Sequence, residues 1–352
     1  MIFQKTDVKK KFESRYGQIS ISIIHPWSVG VNGFQISPYF QELQAYAGQD
    51  DNFNMAAQRL EKYLRIACSS SQVDRVVKEY GAQLEEQGQL IRESDYKEHS
   101  DRVAQLGEEA KAYVMMDGCM LLTRQESEWK EMKLARIFNS DQHYELSDKR
   151  NWIRDSLYLA HFGSYKDFLT KLEPLVDEYE KLGDRLVFVN DGAKWIWNWV
   201  AEHYPSSTQI LDYYHAVEYL GDFAKVILPD KKARNEWVNR QKMFLLNDQV
   251  EQVIDIVRAI QCNTNTKQEA QHKLLTYYGN NKGRMKYKTY RAKGLLIGSG
   301  PIESAHRTVI QKRLKQSGQR WTIKGAQLVA NLRVANMSGL WHKVIKLIKM
   351  AA

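Results

Sequence analysis

Short apolar runs alternate with helical patterns through the middle of this chain. Residues 186–189 form an unbroken apolar run, which is typical of a strand buried on both faces of a sheet. The run ends on Asn190, Asp191 and Gly192, and helical spacing begins directly after it. Because open α/β sheets carry working residues at the carboxyl ends of their strands, Asp191 is a candidate functional carboxylate. Capping of the following helix is an equally good interpretation of this stretch taken alone.

Two other stretches place acidic residues in comparable positions. Residues 113–116 are strand-like and end on Asp117, again just before a glycine. Residues 298–303 open a helical segment with Pro301 in its first turn, a typical helix start, and Glu303 close behind. Taken alone, Asp117 is also typical of a turn aspartate before glycine, and Glu303 is also typical of an acid that the helix dipole favours in the first turn. Together with Asp191 they predict a cluster of three carboxylates.

The surrounding pattern predicts an α/β fold. Helical spacing at residues 165–179 ends at Gly183. Further strands are predicted at residues 128–138, 156–160 and 209–213, with 128–138 antiparallel to the strand that ends on Asp117. The predicted order is three strands, a helix, a strand, a helix and a strand. This is the order of elements in an RNase H-like core.

That core is predicted to be interrupted by helices. Residues 214–280 are almost wholly helical in pattern, so more than a hundred residues separate Asp191 from Glu303. We divide this part of the chain into the first part of the core at 111–213, a helical insertion at 214–297, and the final part of the core, with the Glu-bearing helix and a basic tail, at 298–352.

The N-terminal residues show weaker patterns. Residues 1–50 are hard to interpret, although Ile19, Ile21 and Ile23 alternate with serines as a half-buried strand would. Residues 51–110 are predicted to hold two helices, with Ser71 and Asp74 as a capping box, and then a charged linker at a domain boundary. The two helices are typical either of a DNA-binding helix-turn-helix or of a plain helical hairpin.

Composition favours a globular protein of ordinary kind. Of 352 residues, 43% are hydrophobic and 26% are charged. The sequence contains neither an apolar run long enough to cross a membrane nor a signal peptide core, so we expect a cytoplasmic protein. Three distant cysteines without CxxC spacing argue against disulfides and a zinc finger.

The positive charge is concentrated near the C-terminus. Residues 301–352 hold ten Lys or Arg residues against one acid, Glu303, so this segment alone carries a charge equal to the net +9 of the chain. Residues 282–293 add six bases and no acid. Such a distribution predicts a polyanionic partner, usually nucleic acid, and a solvated basic face is the simpler alternative.

Four stretches of the chain carry motifs: MMDGCM at Asp117, FVNDGAKW at Asp191, LDYYH from Asp212 to His215, and GSGPIESAHRTVIQKRLKQSGQRW at residues 298–321. In these stretches the chain resembles the DDE transposases of bacterial insertion sequences, more narrowly the group with a helical insertion and a GSGxIES-type motif, which implies a bacterial, nucleoid-associated protein. The resemblance covers residues 110–340 and implies that Asp117, Asp191 and Glu303 hold two Mg²⁺ or Mn²⁺ ions for DNA cleavage and strand transfer. Oxygen ligands suit these hard ions.

The resemblance also implies partners and supporting residues. Asp212 and His215 match a DxxH signature, which implies a role in organising the site or binding DNA, unless they form a structural pair. The DNA would be transposon terminal inverted repeats and target DNA, bound by a homodimer or a larger assembly.

Candidate DNA contacts follow Glu303 along the chain. Lys312, Arg313 and Lys315 are the best candidates for phosphate contacts, and Trp321 could stack on an unpaired base. The full candidate set is Arg307, Lys312, Arg313, Lys315, Arg320 and Trp321. Helical spacing places Glu303 on one face with Arg307, Ile310 and Leu314, which predicts that this face points toward the sheet.

Two other functions remain open. A nuclease of the same fold would cut DNA without joining it. A catalytically silent, transposase-derived protein would bind DNA only. Metal-dependent cleavage separates the silent protein from the other two, and strand-transfer products separate the transposase from the nuclease.

Overall fold

The computed structural model describes residues 9–14, 17–22, 34, 36–87, 99, 103–104, 106–124, 128–147 and 150–350. The fold is mixed α/β, with a five-stranded mixed sheet and many helices. The strands are β1 Lys9–Ser14, β2 Gly17–Ser22, β3 Ala112–Leu122, β4 Trp129–Asn139, β5 His143–Ser147, β6 Arg150–Ile153, β7 Leu157–His161, β8 Leu186–Asn190 and β9 Thr208–Leu211.

The helices fall into three groups along the chain. The first group is α1 Pro38–Asp50, α2 Phe53–Leu64 and α3 Ser70–Gln87, and the second is α4 Tyr165–Asp177 and α5 Lys194–His203. The third group is α6 Tyr213–Ile227, α7 Lys231–Leu245, α8 Val250–Ala259, α9 Asn265–Asn281, α10 Tyr287–Ala292, α11 Gly300–Ala305, α12 Lys312–Leu314, α13 Ile323–Met337 and α14 Trp341–Met350. A π-helical turn, His306–Gln311, joins α11 to α12.

The central sheet has the strand order β7–β4–β3–β8–β9. β3, β8 and β9 run parallel, whereas β4 is antiparallel to both of its neighbours. The predicted strands of the sheet are confirmed, with two differences. β3 continues five residues past Asp117 to Leu122, paired throughout with β4, and β9 ends at Leu211, two residues before the predicted end, because Asp212 caps α6. The hairpin of β5 and β6 was not predicted.

Both faces of the sheet are covered, as the apolar run of β8 predicts. Phe188 and Leu186 face α4 and α5, while Val187 and Val189 belong to the larger core on the other face. α13 lies in that larger core and is buried along nearly its whole length. It therefore forms part of the core, within the segment 298–352 that was predicted to combine the final part of the core with a basic tail.

The helices α1, α2 and α3 do not form a separate unit, because α3 packs along α13. The approach is so close that a Cβ at Gly81 would lie 2.3 Å from the carbonyl oxygen of Leu328. The predicted helices are confirmed, but the predicted capping box of Ser71 is wrong, since Ser69 Oγ accepts the hydrogen bond from the Gln72 amide at 3.1 Å. Most of the predicted linker and boundary lies outside the described residues, as does Ile23.

The helical segment between β9 and α11 is confirmed, with α6 to α10 filling it. Short polar caps begin several of these helices: Asp212 caps α6, Asp230 caps α7 and Thr264 caps α9. In the described part of the chain, no helix combines the length and the apolar surface needed to cross a bilayer.

Candidate metal centre

Three neighbouring parallel strands bring aspartates to one edge of the sheet. Asp191 directly follows β8 and Asp212 directly follows β9, and the two strands are paired up to Asn190 and Leu211. β3 pairs with β8 only up to Val114, and beyond that point the side chain of Asn190 accepts a hydrogen bond from the Met116 amide at 2.6 Å. This register places Asp117 level with Asp191 across the two strands.

The turn after β8 is tightly held. Asp191 Oδ1 accepts a hydrogen bond from the Ala193 amide at 3.0 Å, and its carbonyl accepts one from Trp197 Nε1 at 2.7 Å. A Cβ at Gly192 would lie 2.2 Å from the ring of Tyr277 in the helical segment, so only glycine fits without displacement. The turn therefore fixes the Asp191 backbone and leaves its Oδ2 without a hydrogen bond among the described residues.

Asp212 joins three elements and is fully buried. Its Oδ1 caps α6 by accepting from the Tyr214 amide at 2.7 Å. Its Oδ2 accepts from the Ser299 amide at 3.2 Å and from the Ser299 hydroxyl, which fastens the turn before α11 to the end of β9. Three hydrogen bonds occupy most of the acceptor capacity of this carboxylate. These contacts indicate an organising role for Asp212.

Glu303 meets His215 and Asp212 at this edge. One ligand atom from each of Asp212, His215 and Glu303 lies within 4.8 Å of the others, an arrangement that could hold a metal ion. His215 Nε2 is 3.9 Å from Asp212 Oδ2, and its Nδ1 is 3.2 Å from Glu218 Oε2. Ser299 Oγ lies 3.4 Å from Glu303 Oε1. The sequence motifs around Asp212 and Glu303 therefore meet in space.

The predicted common face of Glu303, Arg307, Ile310 and Leu314 is wrong. Glu303 and Arg307 are exposed, whereas Ile310 and Leu314 are buried in the core. The π-helical turn His306–Gln311 causes the difference, because it adds a residue to the turn and rotates the rest of the helix.

His306 is a residue of the site that the sequence did not single out. It is buried, and its Nε2 lies 3.4 Å from Asp117 Oδ2. Burial lowers the pKa of His306 to about 4, so the imidazole is neutral at neutral pH. The sequence feature that could have indicated His306 is its position in the same motif as Glu303, three residues later and therefore one helical turn away.

The electrostatics of the site oppose the ionisation of its aspartates. Burial raises the pKa of Asp117 from 3.8 to about 6, and the charge of Asp191 adds to the rise. Burial also raises the pKa of Asp191, and the charge of Asp212 contributes to it. Glu131, on the neighbouring strand β4, raises the pKa of both Asp117 and Asp191, while His215 lowers both. A bound cation would relieve this repulsion.

The donor set fits a hard divalent cation. Asp117 and Asp191 each accept one backbone hydrogen bond through Oδ1, from Gly118 and Ala193 respectively. Their Oδ2 atoms and the exposed Glu303 carboxylate are the better candidates for ligands, because Asp212 is already occupied. Carboxylate oxygens suit Mg²⁺ and Mn²⁺, and Mn²⁺ also accepts an imidazole such as that of His215.

Removal of the Asp117 charge should stabilise the metal-free protein near neutral pH. The raised pKa of Asp117 means that its contribution to stability is present below pH 3.8 and is lost as the pH rises through about 6. Asp117→Asn should therefore raise the midpoint of thermal unfolding at neutral pH. The difference from wild type should shrink as the pH falls below 6.

His306 has the opposite effect on the pH dependence of stability. Because its pKa is lowered, its contribution to the stability of the folded protein is present above pH 6.5 and is lost as the pH falls toward 4. Repeating the comparison in a His306→Gln background removes this contribution from both proteins. A stability difference between the wild type and the Asp117→Asn variant that does not change with pH would contradict the raised pKa.

The candidate DNA contacts are divided between surface and interior. Arg307, Lys315 and Arg320 have exposed side chains, and Lys312 is exposed but forms an ion pair with Asp50 at 2.8 Å. Lys315 Nζ lies 5.6 Å from the centre of the exposed Trp129 ring, beside the hairpin of β3 and β4. These residues remain accessible to a polyanion.

Arg313 and Trp321 instead have internal contacts. Arg313 is 1% exposed, its Nε donates to the Gly48 carbonyl at 3.1 Å, and its guanidinium lies between the rings of Phe53 and Trp321. Trp321 donates from Nε1 to the Leu314 carbonyl at 2.9 Å, and its backbone forms an isolated parallel β-bridge with Thr123. In this structure Arg313 cannot reach a phosphate, so its predicted role as a phosphate contact is wrong.

A cleft of about 680 Å³ opens beside the Asp191 turn, between Gly192 and α9. Two pairs line the cleft, and each consists of a cationic side chain over an aromatic ring. Lys273 Nζ lies 5.2 Å from the centre of the Tyr219 ring, and Arg284 lies 4.5 Å from that of Trp197. The chemistry of the cleft therefore suits an anionic ligand with flat rings.

Comparison with known proteins places the chain in a family. A model of the uncharacterised protein family UPF0236 matches residues 42–350. The chain belongs to UPF0236. One UPF0236 relative, from Streptococcus gallolyticus, is named "UPF0236 protein in vanSb 3'region" and is 23% identical over 238 residues. That match covers 65% of this chain and 50% of the relative, so the chain spans about half the length of the curated relative that it matches.

Proposed function

We propose that this UPF0236 protein is a DDE-type DNA transposase that cleaves and joins DNA with Mg²⁺ or Mn²⁺. The observation that carries the proposal is the convergence of acidic side chains from distant parts of the chain. Asp117 lies on β3 level with Asp191 at the end of β8, and ligand atoms of Glu303 on α11 lie within 4.8 Å of those of Asp212 and His215, just after the neighbouring strand β9. Three carboxylates in this order, with a helical segment before the glutamate, match the constellation expected from the sequence motifs.

The sheet supports an RNase H-like core. Its order is β7–β4–β3–β8–β9. The first three sheet strands along the chain, β3, β4 and β7, are neighbours in the sheet and pair antiparallel, and β8 and β9 then extend the sheet beside β3 as parallel strands. The acids lie at the carboxyl ends of β8 and β9 and on β3 beside them. Parallel strands place ligand-binding residues at this edge.

The chemistry follows from the charges of the site. Two divalent cations held by Asp117, Asp191 and Glu303 would activate the attacking oxygen and stabilise the leaving oxygen of a phosphodiester. Asp212 and Ser299 fix the turn that carries Glu303, and the buried neutral His306 fills the space beside Asp117. Water would attack in the cleavage step, and a DNA 3′-hydroxyl in the joining step.

Surfaces near the site are suited to DNA. The exposed bases Arg307, Lys315 and Arg320 follow Glu303 along the chain, and the cleft beside Asp191 adds Lys273 and further aromatic side chains. Bases provide phosphate contacts, and aromatic faces can stack on unpaired bases.

DNA processing by the purified protein tests the proposal. The substrates are labelled duplexes that span the boundaries of the element encoding the chain, with a supercoiled plasmid as target. We expect cleavage at the boundaries and joined products with Mg²⁺ or Mn²⁺, and neither with EDTA.

The products distinguish the proposed function from its alternatives. Cleavage without joined products would indicate a nuclease of the same fold. Salt-sensitive DNA binding without cleavage in any metal would contradict enzymatic activity and favour a DNA-binding protein.

A further inference from the structure

The helix that carries Glu303 changes its winding directly after the metal centre. α11 is α-helical to Ala305, residues His306–Gln311 form a π-helical turn, and α12 resumes the α-helical winding. A π-helical turn inside an α-helix inserts one residue and is frequent at functional sites. It also leaves backbone carbonyls without their usual partners, so other donors must bind them.

The register explains why this helix needs the turn. In an unbroken α-helix, residues seven and eleven positions after Glu303 would share its face. Those residues are Ile310 and Leu314, which are 0% and 1% exposed in the core, whereas Glu303 is exposed at the metal centre. Without the additional residue, either Glu303 would turn toward the core or the two apolar side chains would turn toward solvent.

Two side chains bind the carbonyls of the turn. Thr308 Oγ1 lies 3.1 Å from the Ser304 carbonyl and 3.3 Å from the Ala305 carbonyl. From the opposite side, the buried Arg333 of α13 donates from Nε to the Val309 carbonyl and from Nη2 to the Thr308 carbonyl. Four carbonyls around the turn are therefore bound by side chains.

Arg333 is itself held by the end of α1. Its Nη1 donates to the Gln49 carbonyl at 2.8 Å and to Asp50 Oδ1 at 3.1 Å. Asp50 also accepts from Lys312 at 2.8 Å, just after the turn. The guanidinium is thus fixed in a planar arrangement that a lysine ammonium could not reproduce.

We propose that Thr308 and Arg333 are positioning residues of the metal centre. By binding the carbonyls of the π-helical turn they maintain the register in which Glu303 faces Asp212 and His215 while Ile310 and Leu314 remain in the core. This inference rests on the proposed function, because it concerns the orientation of a metal ligand.

Thr308→Val, Thr308→Ser and Arg333→Lys test the inference, with Thr170→Val as the matched control. Thr170 is also exposed and also donates to a carbonyl one turn earlier, Lys166 at 3.0 Å, but it lies in α4, whose residues 165–177 are all α-helical although Pro174 lies within them. Hydrogen–deuterium exchange reports on the amides of residues 306–315, isothermal titration calorimetry measures the affinity for Mn²⁺, and thermal unfolding reports the overall fold.

We expect faster exchange in the turn of Thr308→Val and a roughly threefold to tenfold weaker affinity for Mn²⁺, as the loss of one hydrogen bond would produce. Arg333→Lys should weaken Mn²⁺ binding by about tenfold to a hundredfold, the range typical of residues that orient metal ligands. Thr308→Ser should restore wild-type values, and Thr170→Val should change neither measurement.

Unchanged hydrogen exchange and unchanged Mn²⁺ affinity in Thr308→Val would overturn the inference. Because Thr308 is exposed, this test remains valid even if Arg333→Lys does not fold. Faster exchange in the turn with wild-type affinity for Mn²⁺ would also overturn it, since the turn would then not orient a ligand. Failure of the proposed function looks different: the wild-type protein itself would bind no Mn²⁺.

Discussion

Under the proposed function, Asp191→Asn should abolish metal-dependent DNA cleavage, with a loss of at least about 1,000-fold, because a two-metal site would supply several kcal/mol of transition-state stabilisation. Asparagine keeps an oxygen that can accept the hydrogen bond from the Ala193 amide at 3.0 Å, so the turn after β8 should survive. The substitution removes only the charge and one oxygen ligand. Initial rates of nicking in Mn²⁺, at equal concentrations of folded protein, measure the effect.

Two controls separate chemistry from folding in this experiment. Asp255→Asn removes an exposed carboxylate that pairs with Arg258 at 2.8 Å within α8, and it should leave cleavage unchanged. Burial and the charge of Asp212 raise the pKa of Asp191, so Asp191→Asn should unfold at the same temperature as the metal-free wild type or slightly higher. Cleavage by Asp191→Asn at a rate near that of the wild type would remove Asp191 from the metal centre.

The elements that the sequence predicted well are those whose signal is local. The apolar run of β8 is buried on both faces, and the turn at Asp191 and Gly192 marks the position at which that acid leaves the sheet. The antiparallel pair β3 and β4 and the helices after β9 also follow from local periodicity. For the same reason, the positions of Asp191 after a strand and of Glu303 at the start of a helix could be anticipated, whereas Asp117 was expected at a strand end and lies within β3.

The features that were missed depend on contacts between distant residues. The π-helical turn after α11 relies on Arg333, which is 24 residues from Val309 in the chain, and no helical periodicity contains that information. The bond between Asp212 and Ser299 spans 87 residues. Counting charges could not show that Arg313 and Arg333 are buried, because a buried arginine and a surface arginine look alike in sequence.

The hairpin of β5 and β6 was missed for a different reason. Tyr144 and Trp152 pair across it with ring centres 6.0 Å apart, yet both are exposed, so this pair does not form a buried apolar face. A prediction based on buried faces does not detect such an element.

Asp212→Ala should lower the free energy of unfolding in urea by about 2 to 4 kcal/mol, well beyond the effect of losing a helix cap alone. The substitution removes the cap of α6 at Tyr214 and leaves the buried amide of Ser299 without its acceptor, while the Ser299 hydroxyl keeps only its longer contact with Glu303 Oε1 at 3.4 Å. Buried donors without partners cost more than exposed ones, because water cannot replace the lost acceptor.

Asp230→Ala is the matched control, since Asp230 caps α7 at the Ala233 amide over the same 2.7 Å distance but lies at the surface. It should cost about 1 kcal/mol. Combining Asp212→Ala with Ser299→Ala should cost less than the sum of the two, because the second substitution removes a donor that the first leaves unpaired. If Asp212→Ala is no more destabilising than Asp230→Ala yet eliminates Mn²⁺ binding, Asp212 is a metal ligand and its three hydrogen bonds do not define its role.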